Sequence, residues 1–149
     1  MAFGDARPFV AAIIAIDPTT VGNWAERNNL AYTSFQDLCA KPEVAGLVRA
    51  EIRKCNAMLP EAAQIRRFLV LNKEFDADDD EITRTRKIRR GFVAEKYAAV
   101  VDALYGGLSE VELATEITYE DGRKAVLRSV LAVADVEAAA VPSELVAAR

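Results

Sequence analysis

Histidine is absent from the 149 residues. Imidazole is the side chain that ordinarily titrates near neutral pH. Its absence excludes histidine acid–base catalysis, histidine metal sites, and Ser–His or Cys–His nucleophiles. Cysteine is scarce, and the spacing of Cys39 and Cys55 matches no metal-ligand pattern. Each falls at an apolar position of an expected helix, so both read as buried thiols in a reducing compartment. No apolar run approaches the ~18 residues needed to span a bilayer. The best candidate, residues 9–16, has the length of a strand. Asp5 and Arg7 stand near the start with no basic segment leading into an apolar core, so no secretory signal is expected. A basic excess is missing too. A net charge of −4 gives no global reason to expect a nucleic-acid partner. There is no internal repeat and no low-complexity segment.

What is present is the composition of a globular domain, 52% hydrophobic and 28% charged. A chain of this size removes roughly 68–70% of its unfolded surface from water. Residues 9–16 form a continuous apolar run with β-branched members, as in a strand buried on both faces. Asp17-Pro18 stops it and supplies an N-cap and a first helical residue. That helix fades at Asn28-Asn29, which tolerate the left-handed conformation. Ser34 with Asp37 opens a short second helix. Pro42 begins a longer one with an apolar face of Val44, Leu47, Val48, Ile52, Cys55 and Leu59, ended by Pro60. Residues 65–71 read as a second strand, with Phe68 to Leu71 in the core.

Helical periodicity returns over 91–105 and stops at Gly106-Gly107. Alternating residues 113–119, the turn dipeptide Asp121-Gly122 and a returning strand to Val133 predict a β-hairpin. Trp24, Phe35, Phe68, Tyr97 and Tyr105 are expected as core or edge aromatics. The fold class is α+β: a small mixed β-sheet flanked by helices, with a C-terminal β-hairpin. The expected division is a body over 1–107, an appended hairpin over 108–135 and a flexible tail over 136–149.

The polar link over 72–90 is the unusual segment. Glu74, Asp76, Asp78, Asp79, Asp80 and Glu81 are followed at once by Arg84, Arg86, Lys87, Arg89 and Arg90. Asp76-x-Asp78-x-Asp80 mimics the start of a calcium loop. The position that needs glycine holds Glu81, and the one that needs glutamate holds Lys87. The acidic part therefore reads as a solvated turn that offsets the basic run. Five neighbouring cations must be solvated, paired with those acids, or facing an anion. A lysine in such a loop can deliver a mobile point charge to a phosphate or carboxylate.

These residues resemble a known family. Ile65-Arg66-Arg67-Phe68-Leu69-Val70-Leu71, the acidic turn, Glu81-Ile82-Thr83-Arg84-Thr85-Arg86-Lys87-Ile88-Arg89-Arg90 and Glu95-Lys96-Tyr97 are together similar to the closing portion of long-chain acyl-CoA synthetases. That group belongs to the adenylate-forming superfamily. Its members carry a Leu-Thr-Pro-Thr-x-Lys segment, then basic residues, then a helix with a tyrosine. Gly4-Asp5-Ala6-Arg7-Pro8-Phe9 and Asn56-Ala57-Met58-Leu59-Pro60-Glu61 resemble upstream segments of the same enzymes, so the likeness spans about residues 4–105.

The resemblance implies the C-terminal part of an AMP-forming fatty-acid–CoA ligase. Lys87 would contact the α-phosphate of ATP and the fatty-acid carboxylate, with Thr83, Thr85, Arg86 and Arg89 as the nucleotide-side contacts. ATP and CoA would be substrates of the intact enzyme, with Mg2+ held through the large ATP-binding domain. None of them would be bound by this chain alone, which would be inactive. The implied partners are that large domain, fatty acid and CoA. The implied location is cytoplasmic, with peripheral membrane contact open to the intact enzyme.

Three departures stand beside the likeness. Arg84 replaces the family's proline. The phosphate loop and acyl tunnel are absent, and the interdomain hinge is expected upstream of Met1. The hairpin lies beyond the minimal family ending, where it could cap a sheet edge, meet a partner or be a lineage extension. The competing reading is a non-catalytic interaction or regulatory module with the basic segment as an anion site. A nucleic-acid or anionic-membrane contact through residues 84–90 is disfavoured by the adjacent acids and the net charge.

Overall fold

The computed structural model describes residues 1–137. Of the tail expected over 136–149, residues 138–149 lie outside the described residues. Local chemistry sets the first elements. Strand β1 (Ala2–Phe3) pairs antiparallel with β2 (Val10–Ile14). Asp17 caps α1 (Pro18–Arg27), its carboxylate accepting the Thr20 N–H at 2.8 Å, and Asn29 turns the chain away at φ 54°. Ser34 caps α2 (Phe35–Ala40) by accepting the Asp37 N–H, and Asp37 in return accepts the Thr33 N–H. Helix α3 (Pro42–Asn56) leads through a short 3₁₀ turn (Glu61–Ala63) into β3 (Ile65–Val70).

Helix α3 differs from its sequence reading at its end. The stripe it turns inward runs in four-residue steps through Val44, Val48, Ile52 and Asn56. Asn56 is buried because its amide brackets Ile65, donating to that residue's carbonyl and accepting its N–H, both at 2.9 Å. The stripe therefore passes Cys55 by. Cys55 is exposed, contrary to the expectation of two buried thiols. Cys39 is buried, and burial pushes its thiol up to about 11. The helix also ends at Asn56, ahead of Pro60, because Ala57, Met58 and Leu59 make turn hydrogen bonds back to its last residues.

Residues 91–105, expected as one helix, form two. Helix α4 (Arg90–Lys96) and α5 (Ala98–Tyr105) meet at Tyr97, whose φ of −104° and ψ of 28° depart from helical values. Arg67 closes the end of α5, donating to the carbonyls of Ala103, Leu104 and Leu108. Strands β4 (Glu110–Thr118) and β5 (Lys124–Asp135) complete the hairpin.

The sheet is mixed, in the order β1-β2-β3-β5-β4, with β2 and β3 parallel and the other pairs antiparallel. Strand alternation divides the core between its faces. Ala11, Ile13, Leu69, Leu71, Leu131 and Val133 join α4 and α5 through Val93, Tyr97, Val100 and Leu104. Ala12, Phe68 and Val70 join α1 to α3 through Val21, Ala25, Leu38, Val44 and Ile52. The aromatics expected in the core or at its edge are buried or half-buried. Among the described residues no helix is long and apolar enough to cross a membrane.

The hairpin shares this sheet. Strand β5 lies along β3 with Leu69 opposite Val133 and Arg67 opposite Asp135. It thus caps the edge that β3 would otherwise present. Val136, placed in the flexible tail by the sequence reading, is fully buried, and its N–H donates to the Arg66 carbonyl. Leu113, Leu131, Val133 and Val136 are each worth roughly 1.5–3 kcal/mol of burial. Together they rival a typical net stability of roughly 5–15 kcal/mol. A chain cut after residue 107 is therefore expected to lose its cooperative thermal transition in circular dichroism and to aggregate on size exclusion.

Candidate functional site

The charged link folds into two small pieces joined at Glu81. The first is the acidic turn, where Asp76 accepts the Asp78 N–H in a local Asx turn. The second is a miniature hairpin over 82–88. Ile82 and Ile88 bridge in antiparallel fashion, and the Arg89 N–H donates to the Glu81 carbonyl at 2.9 Å. Inside that clasp the Thr83 N–H donates to the Lys87 carbonyl, and the Arg86 N–H donates to the Thr83 carbonyl, both at 2.8 Å. Arg86 takes a positive φ of 62° at the tip. The Thr83 hydroxyl oxygen accepts the Lys87 N–H at 3.0 Å and lies 3.0 Å from the Thr85 hydroxyl. Both main-chain polar groups of Lys87 are thus tied to Thr83, while its side chain is exposed.

The sequence-derived candidates separate by role. Thr83 and Thr85 meet and shape the turn. Among the described residues, the side chains of Arg84, Arg86 and Lys87 make no ion pair or hydrogen bond. Arg89 is already committed: its guanidinium donates to the Asp80 carboxylate at 2.9 Å and lies over the Phe92 ring. Arg90 reaches the Ala2 carbonyl. The basic run is therefore only partly offset by the acids beside it.

The acidic turn contains one group that the solvated-turn reading missed. Glu81 has no solvent exposure. One carboxylate oxygen accepts from Lys73 Nζ at 3.0 Å and from the Asp76 N–H at 2.9 Å. The other accepts from Lys96 Nζ at 3.0 Å and from the Tyr97 hydroxyl. Asp79 also pairs with Lys73 and stands 3.9 Å from Lys96, so two lysines face two carboxylates. Burial works against the Glu81 anion. The bonds from Tyr97, Asp76, Lys73 and Lys96 outweigh it and hold the carboxyl below the usual glutamate range. Burial and the neighbouring Glu81 both push the Tyr97 phenol up, so it stays a donor. Burial disfavours the Lys73 ammonium, yet Asp79 and Glu81 raise its pKa overall.

The break between α4 and α5 makes this possible, because it turns Lys96 and Tyr97 together onto one carboxylate. Composition could not single out Glu81 among six acids. The available signal was Tyr97, whose place on an apolar helix face demands a buried hydroxyl partner. A concavity of about 610 Å³ lies elsewhere, between the α2–α3 corner and β5, and no residue of the 82–88 hairpin lines it. Among the described residues no group of acidic or thiol side chains is arranged to hold a metal ion.

The sign of the Glu81 shift gives a pH test. Its stabilisation is complete above the unfolded value of about 4.3. It is lost as pH falls through the lower folded value. Glu81→Gln is expected to cost about 3 kcal/mol at neutral pH, since it leaves two lysines facing a neutral amide. In denaturant titrations the gap between wild type and variant should narrow as pH falls below about 5.

Comparison with known proteins supplies the context for this geometry. The family model described as "AMP-binding enzyme C-terminal domain" matches residues 1–109, ending where the β4–β5 hairpin begins. A long-chain-fatty-acid–CoA ligase of Mycobacterium tuberculosis, FadD15, is 38% identical over 103 residues, which is 68% of this chain and 17% of that protein. A putative fatty-acid–CoA ligase of the same species, fadD11, is 36% identical over 105 residues, 70% of this chain and 18% of that protein. Long chain acyl-CoA synthetase 1 of Arabidopsis thaliana is 28% identical over 115 residues, covering 74% and 17%. The chain thus spans about a sixth of the length of the curated relatives it matches. No solved structure matches it. With the match covering both the sheet core and the Lys87 hairpin, the chain belongs to the C-terminal domain family of AMP-binding enzymes.

Proposed function

We propose that this chain is the lysine-bearing C-terminal portion of an AMP-forming long-chain fatty-acid–CoA ligase, and that Lys87 serves its adenylation step. The observation that carries this reading is the 82–88 hairpin. It fixes the Lys87 backbone through two bonds to Thr83 and leaves the ammonium exposed and free of partners among the described residues. The relatives named as fatty-acid–CoA ligases supply the substrate class.

In the first half-reaction an oxygen of the fatty-acid carboxylate forms a bond to the α-phosphorus of ATP. The bond from that phosphorus to the bridging oxygen breaks, and pyrophosphate leaves. The approach brings two anions together, which costs energy unless a cation stands between them. Lys87 is assigned that place: it positions both anions and neutralises the charge that builds between them. Arg86, at the hairpin tip, is assigned a nucleotide phosphate. Thr83 and Thr85 hold the turn that aims the lysine. Arg89 serves through its hold on Asp80, or by exchanging Asp80 for the nucleotide. In the second half-reaction the CoA sulfur attacks the acyl carbon and AMP departs.

ATP, fatty acid and CoA are substrates of the intact enzyme. Its large ATP-binding domain is the partner and the carrier of Mg2+, and this chain alone is inactive.

The test is to join this chain to the ATP-binding portion of the 38%-identical relative, in place of that protein's own matched segment, and to follow pyrophosphate release. Lys87→Ala should lower adenylation by about 10²–10³-fold. Conversion of supplied acyl-AMP to acyl-CoA should stay within about threefold, because no anion pair is formed there. A Lys87→Ala fusion that adenylates at the parental rate would overturn the reading.

A further inference from the structure

Glu81 stands one residue before the hairpin and uses every polar group it has. Its N–H donates to the Asp76 carbonyl at 3.0 Å, and its carbonyl accepts the Arg89 N–H that closes the hairpin base. Its carboxylate gathers Lys73, just past the end of β3, the Asp76 N–H of the acidic turn, and Lys96 and Tyr97 at the α4–α5 break. The stretch just past β3, the acidic turn and the α4–α5 break thus meet on one side chain, and the hairpin grows directly from it.

Stability alone does not account for such a cluster. Replacing a buried ion network with well-packed apolar side chains is commonly neutral or stabilising. What the ions add is direction. Each oxygen takes two donors, so the carboxylate can neither rotate nor slide without breaking a charged bond. An apolar plug in its place would leave the hairpin base free to rock. The tip of a short hairpin magnifies any tilt at its base, and a misplacement of about 1 Å costs a reaction on the order of 10²-fold. Tyr97 ties this anchor to the core, since its side chain belongs to the buried cluster that holds Leu69, Leu71, Val93 and Val100 and its hydroxyl donates to Glu81. The position of the hairpin is thereby referred to the sheet itself.

We infer that Glu81 is a positioning residue for Lys87: the buried carboxylate, held by Lys73, Lys96 and Tyr97, sets where the 82–88 hairpin presents its lysine. This rests on the proposed adenylation role. It adds a residue that never touches substrate and acts only through the loop it anchors.

Two measurements test it. The first uses the 149-residue chain and does not depend on the catalytic reading. In Glu81→Gln, the amides of Thr83, Arg86, Lys87 and Arg89 should exchange with solvent at least about tenfold faster than in wild type. That exchange should run through a local, denaturant-independent opening, while the sheet amides of Leu69 and Leu71 lose only the protection that the drop in global stability removes. Unchanged hairpin protection, or hairpin loss that appears only with global unfolding, overturns the inference.

The second uses the fused ligase. Glu81→Gln should slow adenylation by about 10–10²-fold while sparing acyl transfer to CoA. The double variant Glu81→Gln/Lys87→Ala should be no slower than Lys87→Ala, because a residue acting through Lys87 has nothing left to act on. Fully additive losses, or equal damage to both half-reactions, would show a merely structural role. Should Glu81→Gln fail to fold, Tyr97→Phe keeps every charge in place, and a smaller loss confined to adenylation is expected. Normal adenylation by Lys87→Ala alone would remove the proposed function, and hairpin exchange in Glu81→Gln would still decide whether the carboxylate orders the loop.

Discussion

A buried carboxylate has to be answered by donors, and the answer given to Glu81 organises this protein's charged half. Moving one anion out of water costs several kcal/mol even after relaxation. That cost is met by two ammonium groups, a phenol and a backbone N–H on one side chain. The donors come from the end of β3, from the acidic turn and from the α4–α5 junction, so these three places are held together. The junction of α4 and α5 at Tyr97 lies at this same cluster. A continuous helix would spread Lys96 and Tyr97 around its axis instead of turning both to one point. The hairpin with Lys87 inherits its position from this knot.

The other half of the architecture is held by alternation. Neighbouring residues of β2 and β3 point to opposite faces, so Ile13 and Leu69 serve the α4–α5 side while Ala12 and Phe68 serve the α1–α3 side. Strand β5 extends both layers, and the family match stops at residue 109, before it begins. The hairpin beyond the match therefore contributes core residues, Leu131 and Val133 among them, and closes the free side of β3. Arg67 ties β3 to α5, since it lies in β3 and donates to the last carbonyls of that helix.

Much of this was legible in order along the chain. The Asp17 and Ser34 caps, the stop at Gly106-Gly107 and the turn near Asp121-Gly122 depend on partners three or four residues away, and such signals survive in a linear reading. The strands at 9–16 and 65–71 were legible because strands buried on both faces are apolar throughout. Cys55 was misplaced because an apolar residue at helical spacing looks inward. Asn56 took the inward position once Ile65 offered it two backbone partners. The single helix over 91–105 was misread for a related reason. Its period is helical on both sides of Tyr97, and the departure of Tyr97 from helical φ and ψ leaves no mark in that period.

Sequence alone determined most of the longer secondary elements, the Asp17 and Ser34 caps, the main turns, the mixed α+β class and the family likeness carried by Thr83, Thr85 and Lys87. Each of these is written in neighbouring residues, where covalent geometry and short-range hydrogen bonds decide the outcome. Only the tertiary structure decided which of six acids is buried, which of five cations are already paired, and that the late hairpin closes the sheet. Those outcomes depend on Lys73, Lys96, Tyr97 and β3 arriving at the same place. That convergence is a property of the packed core and leaves no local mark in the sequence.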